Sequence, residues 1–230
     1  MPEGVGFIIF YLINGLIWGL IIALISLGLS LIFGVMGIVN MAHGDIYMIG
    51  AVLSFYFVSL FGNFWISLLI VPLIVALIAA PTERFILRPF EGHPSVTMIA
   101  TVGISFILQQ VALATFGGIP KKISPPWEAS FDLLGVSYPG YRLLVAAIST
   151  LIIIGVWLFL YRTSLGILIR ASMQDKEMAS AMGINVNKVL IGTFVLGSVL
   201  AAIGGVLAAP ISLSLIHISE PTRPLYISYA

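Results

Sequence analysis

The run VLIGTFVLGSVLAAIGGVLAA, Val189–Ala209, contains no charged residue. Coiled as a helix it would be roughly 31 Å long, which matches the hydrocarbon thickness of a bilayer. Comparable runs precede it at Phe7–Phe33, Ile46–Phe61, Phe64–Ala80, Val96–Phe116 and Leu143–Tyr161. Together they make about six spans, each near the length a bilayer requires. The runs are continuous and do not alternate apolar with polar, so they read as helices and not as barrel strands. The expected fold class is therefore an all-α membrane protein, a polytopic transmembrane helix bundle.

Composition points the same way. Hydrophobic residues make up 60% of the chain, charged residues 8%, and the mean hydropathy is +1.16. Soluble domains are about 45–50% apolar and about 25% charged. A net charge of +1 with no basic stripe offers nothing to nucleic acid, and membrane lipid is the expected surrounding. Cysteine is absent, which excludes disulfides and thiolate chemistry. The N-terminus lacks the basic region and small-residue cleavage site of a signal peptide, so the first run is expected to stay as a span.

The charges gather in linkers. Glu83–His93 carries Arg84 and Arg88, and Arg162–Lys188 carries Arg162, Arg170, Lys176 and Lys188. Two spans separate these linkers, so they share a side, and the positive-inside rule makes it cytoplasmic. Gly117–Tyr141, with Lys121 and Lys122, then lies outside. The N-terminus also lies outside, provided that Gly34–Asp45 does not cross back. Trp127 and Tyr138 read as interfacial anchors. Pro72 predicts a kink in its span. Gly15, Gly19 and Ala23 form a ladder of small residues, as do Gly197, Ala201, Gly205 and Ala209. Such faces serve close helix packing or allow helices to slide and tilt.

Three groups of polar residues are candidates for function. Asn40, His43, Gly44 and Asp45 sit between two apolar runs with almost no linker. Polar groups at membrane depth are costly and face a cavity or one another. Gly37 and Gly44 would let the chain break and turn. Two readings are open: a broken helix bordering a translocation path, or a plain interfacial turn with His43 solvated. Asp45 could also cap the next span. His43 and Asp45 lack an accompanying nucleophile or metal set, so they do not read as catalytic. Thr101, Ser105 and Gln109 recur every four residues along one helix face. That stripe either lines a pathway or bonds to neighbouring helices. The third group is Arg170–Lys188, too polar to span. Ser172 and Asp175 predict a helix start and Gly183 with Asn185 a stop, with about three turns between. Met178 and Met182 share a face, as do Ala179 and Gly183, giving a Met-rich contact patch on a short exposed helix. The alternative is a solvated connector on the membrane surface.

Two stretches carry a family resemblance. Glu177-Met-Ala-Ser-Ala-Met-Gly183 resembles the EAA motif of ABC importer permeases, with Met178 in place of the central Ala. The wider string adds Thr163-Ser-Leu-Gly166, Arg170-Ala-Ser172, Asp175 and Met182-Gly-Ile-Asn185, and Gly34-Val-Met-Gly37-Ile-Val-Asn40-Met-Ala-His43-Gly44-Asp45 matches upstream. These strings resemble the branched-chain amino acid permeases, and in particular the first of their two paired subunits. The resemblance implies an incomplete bundle of an ABC importer permease that moves branched-chain or related amino acids by alternating access. It makes Arg170, Asp175, Glu177, Met178, Ala179, Met182 and Gly183 the helix that couples to an ATPase. It implies ABC ATPase subunits, a second homologous permease subunit and an external or periplasmic substrate-binding protein as partners, in a bacterial inner membrane. No Lys follows a Gly, so the chain has no GxxxxGK[ST] loop to cradle phosphates. ATP is then used by partner subunits, and this chain is a transport subunit and not an enzyme. It binds no cofactor or metal of its own. Asn40, His43 and the Thr101 stripe become the candidate path. Urea or short-chain amide permeases resemble the same family. A reading from another class is an ion-coupled secondary transporter with Asp45 and His43 as a relay.

The permease domain is expected to span 1–211. From 212 to 230 the sequence departs from the family, and Ile-His217-Ile-Ser-Glu220-Pro-Thr-Arg223 resembles translated sequencing-adapter read-through. The bundle is accordingly expected to be incomplete at its C-terminus, and no chemistry is assigned to His217 or Arg223.

Overall fold

Each apolar run becomes a helix. The computed structural model describes residues 3–117, 123–127, 129–133 and 136–212. The long helices are α1 (Glu3–Met36), α2 (His43–Phe61), α3 (Phe64–Pro81), α4 (Pro94–Phe116) and α5 (Gly140–Arg162), followed by two short ones, α6 (Ser164–Gln174) and α7 (Lys176–Ala181), and the long α8 (Val186–Ser212). Among the described residues, six helices are long and apolar enough to cross a membrane. The tail after Ser212 and the pair Lys121 and Lys122 lie outside the described residues.

Helix α8 is the centre of the bundle. Its residues Leu200, Ala201, Ala202, Val206, Leu207 and Ala208 are buried, and it packs against α1, α2 and α3. Small residues make this possible. A Cβ on Gly197 would come within 2.6 Å of the Gly28 carbonyl oxygen, and one on Gly50 within 2.5 Å of the Ala202 carbonyl oxygen. The ladder on α8 thus serves close backbone packing. The ladder on α1 does not: Gly15 and Gly19 have nothing within 4 Å of where a Cβ would stand, and Ala23 is exposed. Pro72 is buried inside α3, which continues unbroken across it.

The outer connection holds a feature that hydrophobicity did not signal. Strands β1 (Ser130–Leu133) and β2 (Val136–Pro139) pair antiparallel, with Phe131 opposite Tyr138. Tyr138, expected as an interfacial anchor, is instead buried against Phe10 at 5.4 Å between ring centres. Its neighbour Trp127 remains exposed. Close by, Arg142 donates from Nη1 to Asn14 Oδ1 at 2.8 Å. The first half of α1 therefore lies at the hairpin end of the bundle. Its last turns lie at the other end, where Gly34 meets Met173 of α6. Between Met36 and α2 the chain makes no separate crossing but turns and leads directly into α2.

The two basic linkers meet at this second end. Thr82–Leu87 forms a π-helical turn and Arg88–Phe90 a 3-10 turn. The π turn closes five residues back, with the Arg88 amide donating to the Glu83 carbonyl. It sets the Glu83 and Arg88 side chains together at 3.1 Å, with the Glu83 side chain fully buried. Arg88 also donates to the Asn187 carbonyl at the start of α8, at 3.0 Å. Lys176 of α7 pairs with Glu91 at 3.2 Å. Residues 83–93 and 176–188 are thus bolted into one platform at this end of the bundle.

Candidate functional site

The polar residues of the first and second spans fold into the bundle interior. Helix α1 ends at Met36, and Gly37 takes a left-handed backbone, φ +70°, that turns the chain around. Residues 37–42 then run back alongside α1. His43 Nε2 hydrogen-bonds the Ile25 carbonyl at 3.0 Å. Ile25 precedes Met36 by eleven residues, so His43 sits about 16 Å in from that end of α1. Asn40 and His43 are each only 3% exposed. The reading of a solvated interfacial turn is therefore wrong for His43: a buried ring bonded to a mid-helix carbonyl replaces it. Gly44 is not a hinge either. It lies in the first turn of α2 and has no left-handed backbone, so Gly37 alone makes the turn.

This re-entrant segment meets the polar stripe of α4. Thr101 Oγ1 accepts from the Met41 amide at 3.2 Å and donates to the Met98 carbonyl at 2.8 Å. Asn40 Oδ1 accepts from the Ala42 amide at 3.1 Å. Asp45 does not cap α2, whose N-cap residue is Ala42 with no side-chain bond. Instead Asp45 Oδ1 accepts from Gln109 Nε2 at 2.8 Å, and that nitrogen also donates to Ser105 Oγ at 3.1 Å. These bonds fall into three separate sets, His43 with α1, residues 40–42 with Thr101, and Asp45 with Gln109 and Ser105, which together make up a polar layer around the start of α2. His43 and Asp45 are not bonded to each other. Buried Asn40 Nδ2 and His43 Nδ1 have no partner among the described residues. Beside the layer lies a cavity of about 60 Å³, walled by Ile46, Ile49, Val75, Ile78, Ile104 and Leu108 among others.

The cytoplasmic segment divides into two helices where one was expected. Ser172 starts nothing: it is buried within α6 and its hydroxyl has no partner among the described residues. Thr163 caps α6 by accepting from the Gly166 amide at 3.1 Å. Asp175 caps α7 by accepting from the Met178 amide at 2.9 Å, so α7 is only Lys176–Ala181 and not three turns. Gly183, at φ +85°, ends it as expected. Asn185 belongs to the next helix, accepting from the Lys188 amide at 3.2 Å at the start of α8. Glu177, Met178 and Met182 face outward, with Met178 61% and Met182 78% exposed, while Ala179 is buried. Arg170 lies 4.7 Å over the Tyr161 ring. The segment is thus a short capped helix, tied at its first residue to Glu91, with two exposed methionines.

The family profile described as the branched-chain amino acid transport system permease component matches residues 11–218. The chain belongs to this family. The branched-chain amino acid permease BraD of Pseudomonas aeruginosa is 30% identical over 211 residues, covering 85% of this chain and 69% of that protein. LivH of Salmonella typhimurium is 29% identical over 222 residues, and LivH of Escherichia coli 28%, each covering 90% of this chain and 72% of the relative. No solved structure matches. The profile runs past 211 to 218. Fold and family agree: a multi-pass membrane protein, a transport permease subunit built as a helical bundle.

Several residues of this arrangement were not among the sequence candidates. Glu83, Arg88 and Glu91 are the platform on which α7 and α8 stand. Their signal was faint, because Glu83 and Arg88 are five apart and do not stack in an ordinary α-helix. Only the π turn brings them onto one face.

Proposed function

We propose that this chain is the membrane-spanning subunit of an ATP-driven importer of branched-chain or related amino acids. The observation that carries the proposal is α7: a short capped helix at the basic end of the bundle, with Met178 and Met182 exposed in a family permease. It acts as the docking element for a separate ATPase, since Met suits an adaptable contact surface. An external binding protein delivers the substrate, and a second permease subunit completes the pathway. Movement of α7 passes into the bundle along two links, Lys176 to Glu91 and Arg88 to Asn187. The layer of Asn40, His43, Asp45, Thr101, Ser105 and Gln109 borders the translocation path. A His–Asp proton relay finds less support, because His43 and Asp45 each bond elsewhere.

The test replaces Met178 and Met182 together with Glu, and measures ATPase co-purification and transport. Gly183 is left unchanged in this test, because its left-handed backbone, φ +85°, would strain any side chain. Each methionine buried on docking contributes about 1.5–3 kcal/mol, so the double variant should retain less than a tenth of the ATPase. Membrane insertion should be unchanged. A variant that keeps its ATPase and transports normally sinks the docking assignment.

A further inference from the structure

Asp45 stands apart from the other acidic residues described. Glu83, Glu91, Asp175 and Glu177 lie at the basic-linker platform, Asp132 lies in the hairpin, and Glu3 begins α1. Asp45 instead lies on the re-entrant start of α2, two residues beyond His43, whose ring bonds α1 about 16 Å from Met36. Its partner Gln109 is fifteen residues into α4, about 22 Å along that helix. Both place the carboxylate well inside the bundle, away from its end at the basic linkers.

The carboxylate is only half satisfied. Oδ1 accepts from Gln109, but Oδ2 has no partner among the described residues, and it is not one of the sealed, unpartnered atoms. Neither ion pair among the described residues includes Asp45. Its residue is nevertheless 91% buried, since 9% is exposed. The first turn of α2 and Gln109 favour the carboxylate, and its open Oδ2 leaves a place for a cation or a further donor. Gln109 is exposed on the same side, and its Oε1 takes no bond among the described residues, so a second acceptor stands beside the first. The neighbouring cavity is walled mainly by aliphatic side chains, with Asn40 and Thr82 also in its wall, and Asp45 and Gln109 stand just outside it. Ile46 adjoins Asp45, Ile49 lies one turn on, and Leu108 adjoins Gln109. A cavity of about 60 Å³ has room for on the order of four water-sized positions, or a small alkyl group.

A cation-seeking carboxylate next to an aliphatic cavity matches the two ends of one molecule. We propose that Asp45 receives the α-ammonium group of an aliphatic amino acid in transit, with Gln109 Oε1 as a second acceptor. The substrate's alkyl side chain turns into the Ile46–Leu108 cavity. The inference rests on the amino-acid import reading and adds a named intramembrane subsite to it.

The experiment uses the chain assembled with its ATPase, second permease and receptor in proteoliposomes, with L-leucine as the probe. Asp45→Asn keeps the size and can still accept from Gln109, but loses the charge. Asp45→Glu keeps the charge. The expected result is that Asp45→Asn lowers leucine import at least about tenfold while receptor-stimulated ATP hydrolysis, subunit co-purification and melting temperature stay at wild-type values. Asp45→Glu should restore a measurable part of the import. Wild-type import by Asp45→Asn overturns the proposal. So does a loss of import accompanied by loss of the second permease subunit or of thermal stability, which would assign Asp45 to a partner's cation or to packing. A wild-type complex that hydrolyses ATP but imports no amino acid overturns the functional reading itself, a result distinct from failure at Asp45.

Discussion

Replacing Arg88 with Met should destabilise the chain sharply, and the reason lies in Glu83. The Glu83 side chain is 0% exposed and receives three hydrogen bonds from Arg88, at 3.1, 3.3 and 3.4 Å. Removing Arg88 takes away the hydrogen-bonded cation of a buried carboxylate and leaves only the weaker influence of Arg84, a defect that costs about 3–5 kcal/mol. Arg88 is itself 24% exposed, so water screens part of the pair and the lower figure applies. The lost bond to the Asn187 carbonyl adds to the loss at the foot of α8. About 3 kcal/mol corresponds to a fall in Tm of roughly 6–12 °C for a chain of this size. The double variant Glu83→Gln/Arg88→Met should recover at least half of the loss, because the orphaned charge is the main cost. Tryptophan fluorescence during thermal unfolding in lipid–detergent micelles measures all three proteins. A shift below about 2 °C for Arg88→Met, or a double variant no better than the single, refutes the reasoning.

Two further predictions concern packing and the docking helix. Gly205→Val should prevent stable folding or cost more than about 3 kcal/mol, because a side chain there runs into the Tyr47 carbonyl and the Ala51 amide. Gly15→Val, which faces open space, should stay within about 0.5 kcal/mol of wild type in the same unfolding assay. Asp175→Ala removes the acceptor of the Met178 amide and should cost α7 about 1 kcal/mol. Hydrogen exchange at Met178 and Ala179 should then quicken about fivefold with the global Tm unchanged.

The spans were legible because length and continuous apolarity are local properties, and each expected run lies within a helix. Gly183 was legible too, since glycine at a helix end signals a left-handed stop. The start of α7 was misplaced because Ser172 and Asp175 are both good capping residues. The choice between them depends on Ser172 being buried inside α6. The path of residues 37–45 could not be read locally. It depends on bonds from His43 to Ile25, Met41 to Thr101 and Asp45 to Gln109, whose partners are 18, 60 and 64 residues apart. The polar character of both segments was visible in the sequence, but their meeting was not. The platform escaped notice for a similar reason: a π turn and two ion pairs join segments that read only as charged linkers.

The central claim is ATP-driven import through this subunit, and leucine uptake into proteoliposomes tests it most directly. The chain is reconstituted with its ATPase, second permease and receptor, with and without ATP inside the coupling compartment and with ionophores present. Uptake that requires both ATP and the ATPase subunit, and that survives collapse of proton and sodium gradients, is the predicted result. Uptake that persists without the ATPase and disappears when an ion gradient is collapsed contradicts the account.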